Sequence, residues 1–297
     1  MSPIRKIKVI AAITFGLILS GCMTTSPGVT QDRSAPDGYL PNLMPHAHGF
    51  RYTVGSEPVR AGLVVQRFEL RDGDCGGDDC QNPRNRSEVR QQPGHTPARI
   101  GEDIWFGWSF YNHNIQSYPG SISLMNVFGQ WKMGGSNPPS IKLVQVGRGE
   151  AYRNGNRNHD VVIQLDDANE GLGWGRSRNH GIVCRLFSID EAIGRWTDIV
   201  INTNFSTGND GYLRIWINGQ QRCDYAGPIS VTTETSLYPG PNLRYGIYGS
   251  FTTRWDRVQP GQPKPTMIAY YDEVRTGSSR EEVDIRLIEQ RGGAAVD

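Results

Sequence analysis

Gly211-Tyr212-Leu213-Arg214-Ile215-Trp216-Ile217-Asn218-Gly219 alternates apolar and polar side chains and ends in a turn dipeptide. Successive side chains of a β-strand point to opposite faces, so Leu213, Ile215 and Ile217 share one face while Arg214, Trp216 and Asn218 share the other. Asn-Gly favours the dihedrals of a two-residue hairpin, so a second strand follows. Working outward, short apolar runs recur at 63–70, 104–111, 121–128, 141–146, 161–165, 196–202 and 267–274, separated by Gly, Pro, Asn and Asp clusters. Runs of this length between turn residues read as strands. Helical signals are confined to one turn at 189–193 and to the region after Ser279, where Ser279 and Glu282 have capping-box spacing. With no internal repeat and no strand–helix alternation, the pattern predicts an all-β fold, a two-sheet β-jelly-roll (concanavalin-like) sandwich spanning 49–280.

The ends of the chain read differently. Arg5, Lys6 and Lys8 precede an apolar stretch at 9–19 that closes on Leu19-Ser20-Gly21-Cys22. This is the pattern of a secretory signal at 1–21 with Cys22 as lipid acceptor, and the stretch is too short to span a bilayer. The expectation is a lipid-anchored protein of the bacterial cell envelope, at the outer membrane. Residues 22–48, rich in small and polar residues, are expected to form a disordered tether, and 281–297 a C-terminal tail. His46 and His48 at the tether's end are a weak metal signal. Setting Cys22 aside leaves Cys75, Cys80, Cys184 and Cys223, an even number suited to an oxidising compartment. Three pairings are open; proximity favours Cys75 with Cys80, leaving Cys184 with Cys223.

Charge excludes some partners. Loss of the three cations of the signal takes Lys+Arg from 31 to 28 against 30 acidic residues. A near-neutral chain gives no electrostatic case for nucleic acid. The lysines left are Lys132, Lys142 and Lys264, and every other side-chain cation apart from histidine is arginine, whose planar fork matches carboxylates.

Three further segments carry chemistry. In Arg86-Ser87-Glu88-Val89-Arg90 the residues Arg86, Glu88 and Arg90 share a face; in Gln130-Trp131-Lys132, Gln130 and Lys132 do; in Arg244-Tyr245-Gly246-Ile247-Tyr248, Arg244 and Tyr248 do. If the three strands lie in one sheet, guanidinium, amide, ammonium and phenol groups meet, a set suited to an acidic sugar. Each also has a plain structural explanation, as an exposed ion-pair ladder or an edge residue.

At these segments the chain resembles the β-jelly-roll polysaccharide lyases, of the glucuronan lyase and heparin lyase I type, related to alginate lyases. Alginate lyases of this fold carry Arg-x-Glu-Leu-Arg, Gln-Ile-His and Tyr-Phe-Lys-x-Gly-x-Tyr strands. The counterparts here are residues 86–90, 130–132 and 242–248, and the similarity runs in order over roughly 60–277. The resemblance implies β-elimination on a uronate polymer by a monomer that needs no cofactor. It assigns Gln130 and Arg90 to the substrate carboxylate with Lys132 assisting, and Tyr248 to proton transfer at C5 and O4. Arg86, Glu88, His113, Arg244 and Trp216 are expected to bind substrate. Lys132 stands where the relatives often carry histidine, so either the lysine's pKa is lowered, or His113 or His95 enters the site, or Tyr248 works alone, or the domain only binds carbohydrate. The phenol is expected to draw on Arg90, Lys132 and Arg244 for a lowered pKa. A hydrolase is disfavoured by the absence of a Glu-x-Asp-x-x-Glu strand. Asp72, Asp74, Asp78 and Asp79 among glycines could supply oxygen ligands to calcium or simply form a disulfide-closed acidic turn.

Overall fold

The computed structural model of the protein describes residues 35–119, 124–134, 137–147, 157, 159–171, 181–232 and 239–297. Two antiparallel seven-stranded sheets face one another. The first runs in the order β1 (Tyr39–Pro41), β4 (Arg84–Gln91), β13 (Asn242–Ser250), β6 (Met125–Lys132), β7 (Pro139–Val146), β8 (Asp160–Gln164) and β9 (Ile182–Ser188). The second runs β12 (Gln220–Ala226), β11 (Tyr212–Ile217), β10 (Trp196–Thr203), β5 (Ile104–Asn112), β14 (Met267–Gly277), β3 (Val64–Leu70) and β2 (Phe50–Val54). The jelly-roll sandwich is the expected fold, and both expected disulfides form, with Cα separations of 5.1 Å for Cys75–Cys80 and 5.5 Å for Cys184–Cys223.

Alternation puts one row of each strand between the sheets. Val89, Trp131, Leu143, Tyr245 and Ile247 of the first sheet pack on Phe68, Phe106, Phe110, Leu213 and Tyr271 of the second. The Trp131 ring lies 5.0 Å from that of Phe106 and is fully buried. Truncating an aromatic in such a position costs about 3–5 kcal/mol, the lost transfer energy plus the cavity left behind. The hairpin joining β11 and β12 turns at Asn218 and Gly219, with φ of 51° and 81°. Both values lie in the left-handed region that Asn and Gly tolerate.

Two boundaries differ from expectation. Residues 39–48 belong to the body: β1 pairs with β4, and Asn42 N donates to Glu88 O at 2.8 Å. Backbone pairing at a sheet edge offsets the ordering entropy of this polar stretch. The tail also packs. Its short helices α3 (Arg280–Val283) and α4 (Ile285–Gln290) bury Val283 and, one turn apart on α4, Ile285 and Ile288. Glu282 receives the N–H of Ser278 at 2.7 Å, and Ser279 makes no side-chain cap. The region 189–193 makes one hydrogen-bonded turn of the helical kind, Ala192 N donating to Ser188 O at 3.2 Å. The described residues also include the α-helices α1 (Asp166–Gly171) and α2 (Thr253–Val258). The signal peptide and Cys22 lie outside the described residues.

Candidate active site

The three chemistry-bearing segments are neighbouring strands, β4, β13 and β6, and register sets their outer-face residues side by side. Arg90 pairs with Arg244, Arg244 with Gln130, Gln130 with Lys142 and Lys142 with Gln164. One row of cations and amides therefore crosses five strands. Farther along the same face, Arg86 pairs with Tyr248 and Tyr248 with Val127. There Tyr248 packs on an apolar patch of Met125, Val127, Val144, Val146, Val162 and Ile182. Polar groups at one end and an apolar floor at the other are what an acidic sugar ring presents in return.

Between the two rows β13 carries a bulge, with register shifting between Tyr245 and Tyr248. The residue there is Gly246 at φ 131°. A Cβ built on it would lie 2.3 Å from Ser87 O and 2.8 Å from the Glu88 Cα, so no other residue fits. Across the bulge, groups from β4 and β6 meet: Gln130 Nε2 donates to Glu88 Oε1 at 2.6 Å. The bulge is also pinned from below. Tyr271 of the second sheet points its hydroxyl between Gly246 O at 2.7 Å and Phe128 O at 2.8 Å.

Glu88 is almost fully buried and receives two more donors, Asn42 Nδ2 and Arg86 Nη1, both at 2.5 Å. Arg86 also donates from Nε to Asp79 Oδ2 at 2.5 Å and from Nη2 to Asp79 Oδ1 at 3.2 Å. Burial works against the Arg86 charge, but Glu88 and Asp79 outweigh it and raise its pKa. The guanidinium lies 4.0 Å from the centroid of the Tyr248 ring. Gln130, Glu88, Arg86 and Tyr248 thus form one chain of contacts. Arg86 and Glu88, expected to bind substrate, are buried and paired with one another and with Asp79 and Asn42, with Glu88 touching Gln130 and Arg86 touching Tyr248.

The cations of the first row are held differently from one another. Arg90 is partly exposed and makes no side-chain hydrogen bond or ion pair with the described residues, while Arg244 Nε donates to Asn242 Oδ1 at 3.1 Å. Lys142 is tied to Asp166 of α1. Lys132, opposite Asn242 and half-buried, donates to Asn137 O. Burial, with the charges of Arg244, Arg86 and Arg84, lowers its pKa to about 8. Tyr248 shifts the other way from the expectation: burial raises its pKa, opposed by Arg86 and Arg84, so the phenol keeps its proton at neutral pH. The cations acting on it are these two, in place of Arg90, Lys132 and Arg244.

Other expected residues fall elsewhere. His113 follows β5 in the second sheet, its N–H donating to Ile268 O at 3.2 Å and its ring against Tyr270. Trp216 is on the outer face of the second sheet, stacked on Trp105 at 5.4 Å with Arg280 of α3 over it at 4.8 Å, so it packs the tail down. His95 is exposed in the loop after β4; in that loop Thr96 Oγ1 donates to Pro241 O at 2.8 Å, beside Asn242. The four aspartates do not converge on an ion. Asp79 holds Arg86, Asp74 pairs with His48 at 2.7 Å, Asp72 with Lys264 at 3.0 Å, and Asp78 is exposed. Among the described residues no group of three or more His, Cys, Asp or Glu side chains is arranged to hold a metal. Sequence reasoning missed Asn42, hidden in an apparent tether, and Asp79 and Tyr271, whose roles depend on contacts between distant segments. Lys142 could have been found, since it faces outward between the inward Ile141 and Leu143.

No curated protein matches the chain by sequence. Among solved structures it is similar to endo-β-1,4-glucuronan lyase from the fungus Trichoderma reesei, with 19% identity and a TM-score of 0.51 over 83% of this chain and 97% of that one. It is also similar to the family 7 alginate lyase A1-II′, at 14% identity and a TM-score of 0.47 over 77% and 83% of the two chains. The alginate lyase from Corynebacterium sp. matches at 11% identity with a TM-score of 0.45, over 76% and 80%. At these identities the likeness is one of fold. The polysaccharide lyase family model matches residues 42–275, most of the chain and every strand from β2 to β13, and the protein therefore belongs to the polysaccharide lyases.

Proposed function

We propose that the protein cleaves a uronate-containing polysaccharide by β-elimination. The observation that carries this reading is the register row of Arg90, Arg244 and Gln130 beside a protonated Tyr248 on one face of one sheet. The C5 proton of a uronate is weakly acidic, and it becomes transferable only when charge growing on the C6 carboxylate meets preorganised donors. Arg90, Arg244 and the second N–H of Gln130 supply them. Glu88 holds the Gln130 amide in one orientation.

Proton transfer divides between two groups whose environments push them apart. Lys132, with a pKa of about 8, has a neutral fraction near neutrality and takes the C5 proton. Tyr248, still protonated, donates to O4 as the C4–O4 bond breaks and the C4–C5 double bond forms. Lys132 ends with the proton, Tyr248 ends as phenolate, and exchange with water resets both. Arg86 against the ring steadies that phenolate.

Glucuronan is the first polymer to test, given the fold shared with a glucuronan lyase. Incubation with glucuronan, alginate, heparin and bacterial acidic exopolysaccharides should yield the ultraviolet absorbance of an unsaturated uronate from at least one. No absorbance from any of them would defeat the reading. Cys22 is proposed as the lipid anchor; Cys22→Ala should release the protein into the soluble fraction, and retention in the membrane would refute it.

A further inference from the structure

The edges of the two sheets meet at β9 and β12, tied by the Cys184–Cys223 bridge. Beside the bridge, between β9, the turn at 188–195 and the β11–β12 hairpin, lies a cleft of about 470 Å³. Leu186 and Ile217 are buried beneath it, and half-buried Trp196 forms a wall, its ring held 5.3 Å from that of Tyr111. The lining carries three guanidiniums, of Arg185, Arg195 and Arg222, against one carboxylate, Glu191. Arg185 is held by Asp160 at 2.9 Å. The other two are exposed and have no carboxylate partner among the described residues; Arg222 Nη2 donates only to Gln220 Oε1, at 3.0 Å.

Unneutralised arginines in a recess create a local positive potential, and each fork matches a carboxylate in geometry. An indole wall suits the apolar face of a sugar ring. The disulfide fixes the distance between the cleft's two sides, so the arginines are presented without reordering the backbone. β9 is also the far edge of the sheet that bears the catalytic face, so a chain leaving that face across β8 reaches this strand next.

We propose that this cleft is a second, non-catalytic binding site for an anionic polysaccharide, which holds the polymer on the enzyme between cuts. That the anion is a uronate chain rests on the function proposed above. The test is electrophoresis of the full chain through gels containing glucuronan, alginate or neutral dextran at low salt, comparing Tyr248→Phe with the same protein carrying Arg195→Ala and Arg222→Ala. Tyr248→Phe should be retarded by an acidic polymer and not by dextran. Removing the two arginines should weaken that retention roughly five- to tenfold, as two exposed charge contacts would. Arg257→Ala/Arg291→Ala, which removes two exposed arginines elsewhere, should leave it unchanged. In the active background the double change at the cleft should raise KM on polymer by a similar factor and leave turnover of a trisaccharide untouched. Equal retention with and without Arg195 and Arg222, or an equal loss from the Arg257/Arg291 control, would overturn the proposal. If no polymer is cut but retention still depends on the two arginines, the cleft stands and the lyase chemistry falls; if polymer is cut with no such retention, the reverse holds.

Discussion

The outer faces of the two sheets are built from the same kinds of residue and do different things. On the first sheet Arg86, Glu88 and Asp79 form a buried network beside the row proposed to meet substrate. On the second, Arg60 binds Asp198 at 3.0 Å and Glu289 at 2.6 Å, and Trp216 lies under Arg280, all in the service of holding the tail. What separates them is occupancy: one face is covered by the chain's own C-terminus, and the other spends its buried charges on orienting an amide and a phenol. Ion pairs and aromatics mark a site only where something beside them remains unpaired.

Mutations can break that contrast. The largest effect is expected for Tyr248→Phe, which should lower kcat by about 10²–10⁴-fold through loss of the proton donor. Trp216→Phe on the other face should leave kcat and KM as they are. Initial-rate assays of unsaturated product decide between them, and a fully active Tyr248→Phe would remove the phenol from the mechanism.

Glu88→Ala comes next. It strips a buried guanidinium of one carboxylate and frees the Gln130 amide, at a cost of about 3–5 kcal/mol, the range for breaking a buried pair. Urea unfolding measures the stability, and kcat should fall further than the folded fraction explains. Arg60→Ala, by comparison, should lower the melting temperature while kcat of the folded protein stays constant. Tyr271→Phe should be milder, about 1–3 kcal/mol for leaving the two carbonyls without their buried donor. Because those carbonyls flank the bulge, kcat should drop with KM nearly unchanged.

The smallest effect is on pH. Burial and neighbouring arginines favour neutral Lys132, so a base there gains activity as pH rises and levels off above about 8. If the lysine served as a cation instead, activity would fall through the same range. Lys132→Met, which takes away the proposed base, should lower kcat about as far as Tyr248→Phe does and remove whichever limb is present; a rate and profile unchanged by that substitution would exclude the residue from proton transfer.

Much of this was legible in advance, and the failures share a cause. Alternation assigned Arg86, Gln130 and Tyr248 to outer faces correctly because a period of two follows from backbone geometry. The same rule assigned Trp216 to an outer face and could not tell which sheet carried it. His113 failed likewise. Register was out of reach: nothing local says that Glu88 lies across Gly246 from Gln130, or that the loop closed by Cys75 and Cys80 delivers Asp79 to Arg86. Asn42 was masked by composition, since a polar stretch that gains backbone partners at a sheet edge looks the same as one that stays in solvent. The tyrosine's pKa was misjudged because cations can be counted in a sequence and burial cannot.

The Tyr271 hydroxyl reaches from one sheet to two carbonyls of the other, at the bulge across which Glu88 and Gln130 touch. The spacing of the sandwich is thereby written into the geometry of the proposed site. Turnover becomes a gauge of interlayer slippage: as mild denaturant or rising temperature loosens the stack, catalysis should fade while circular dichroism still reports intact strands.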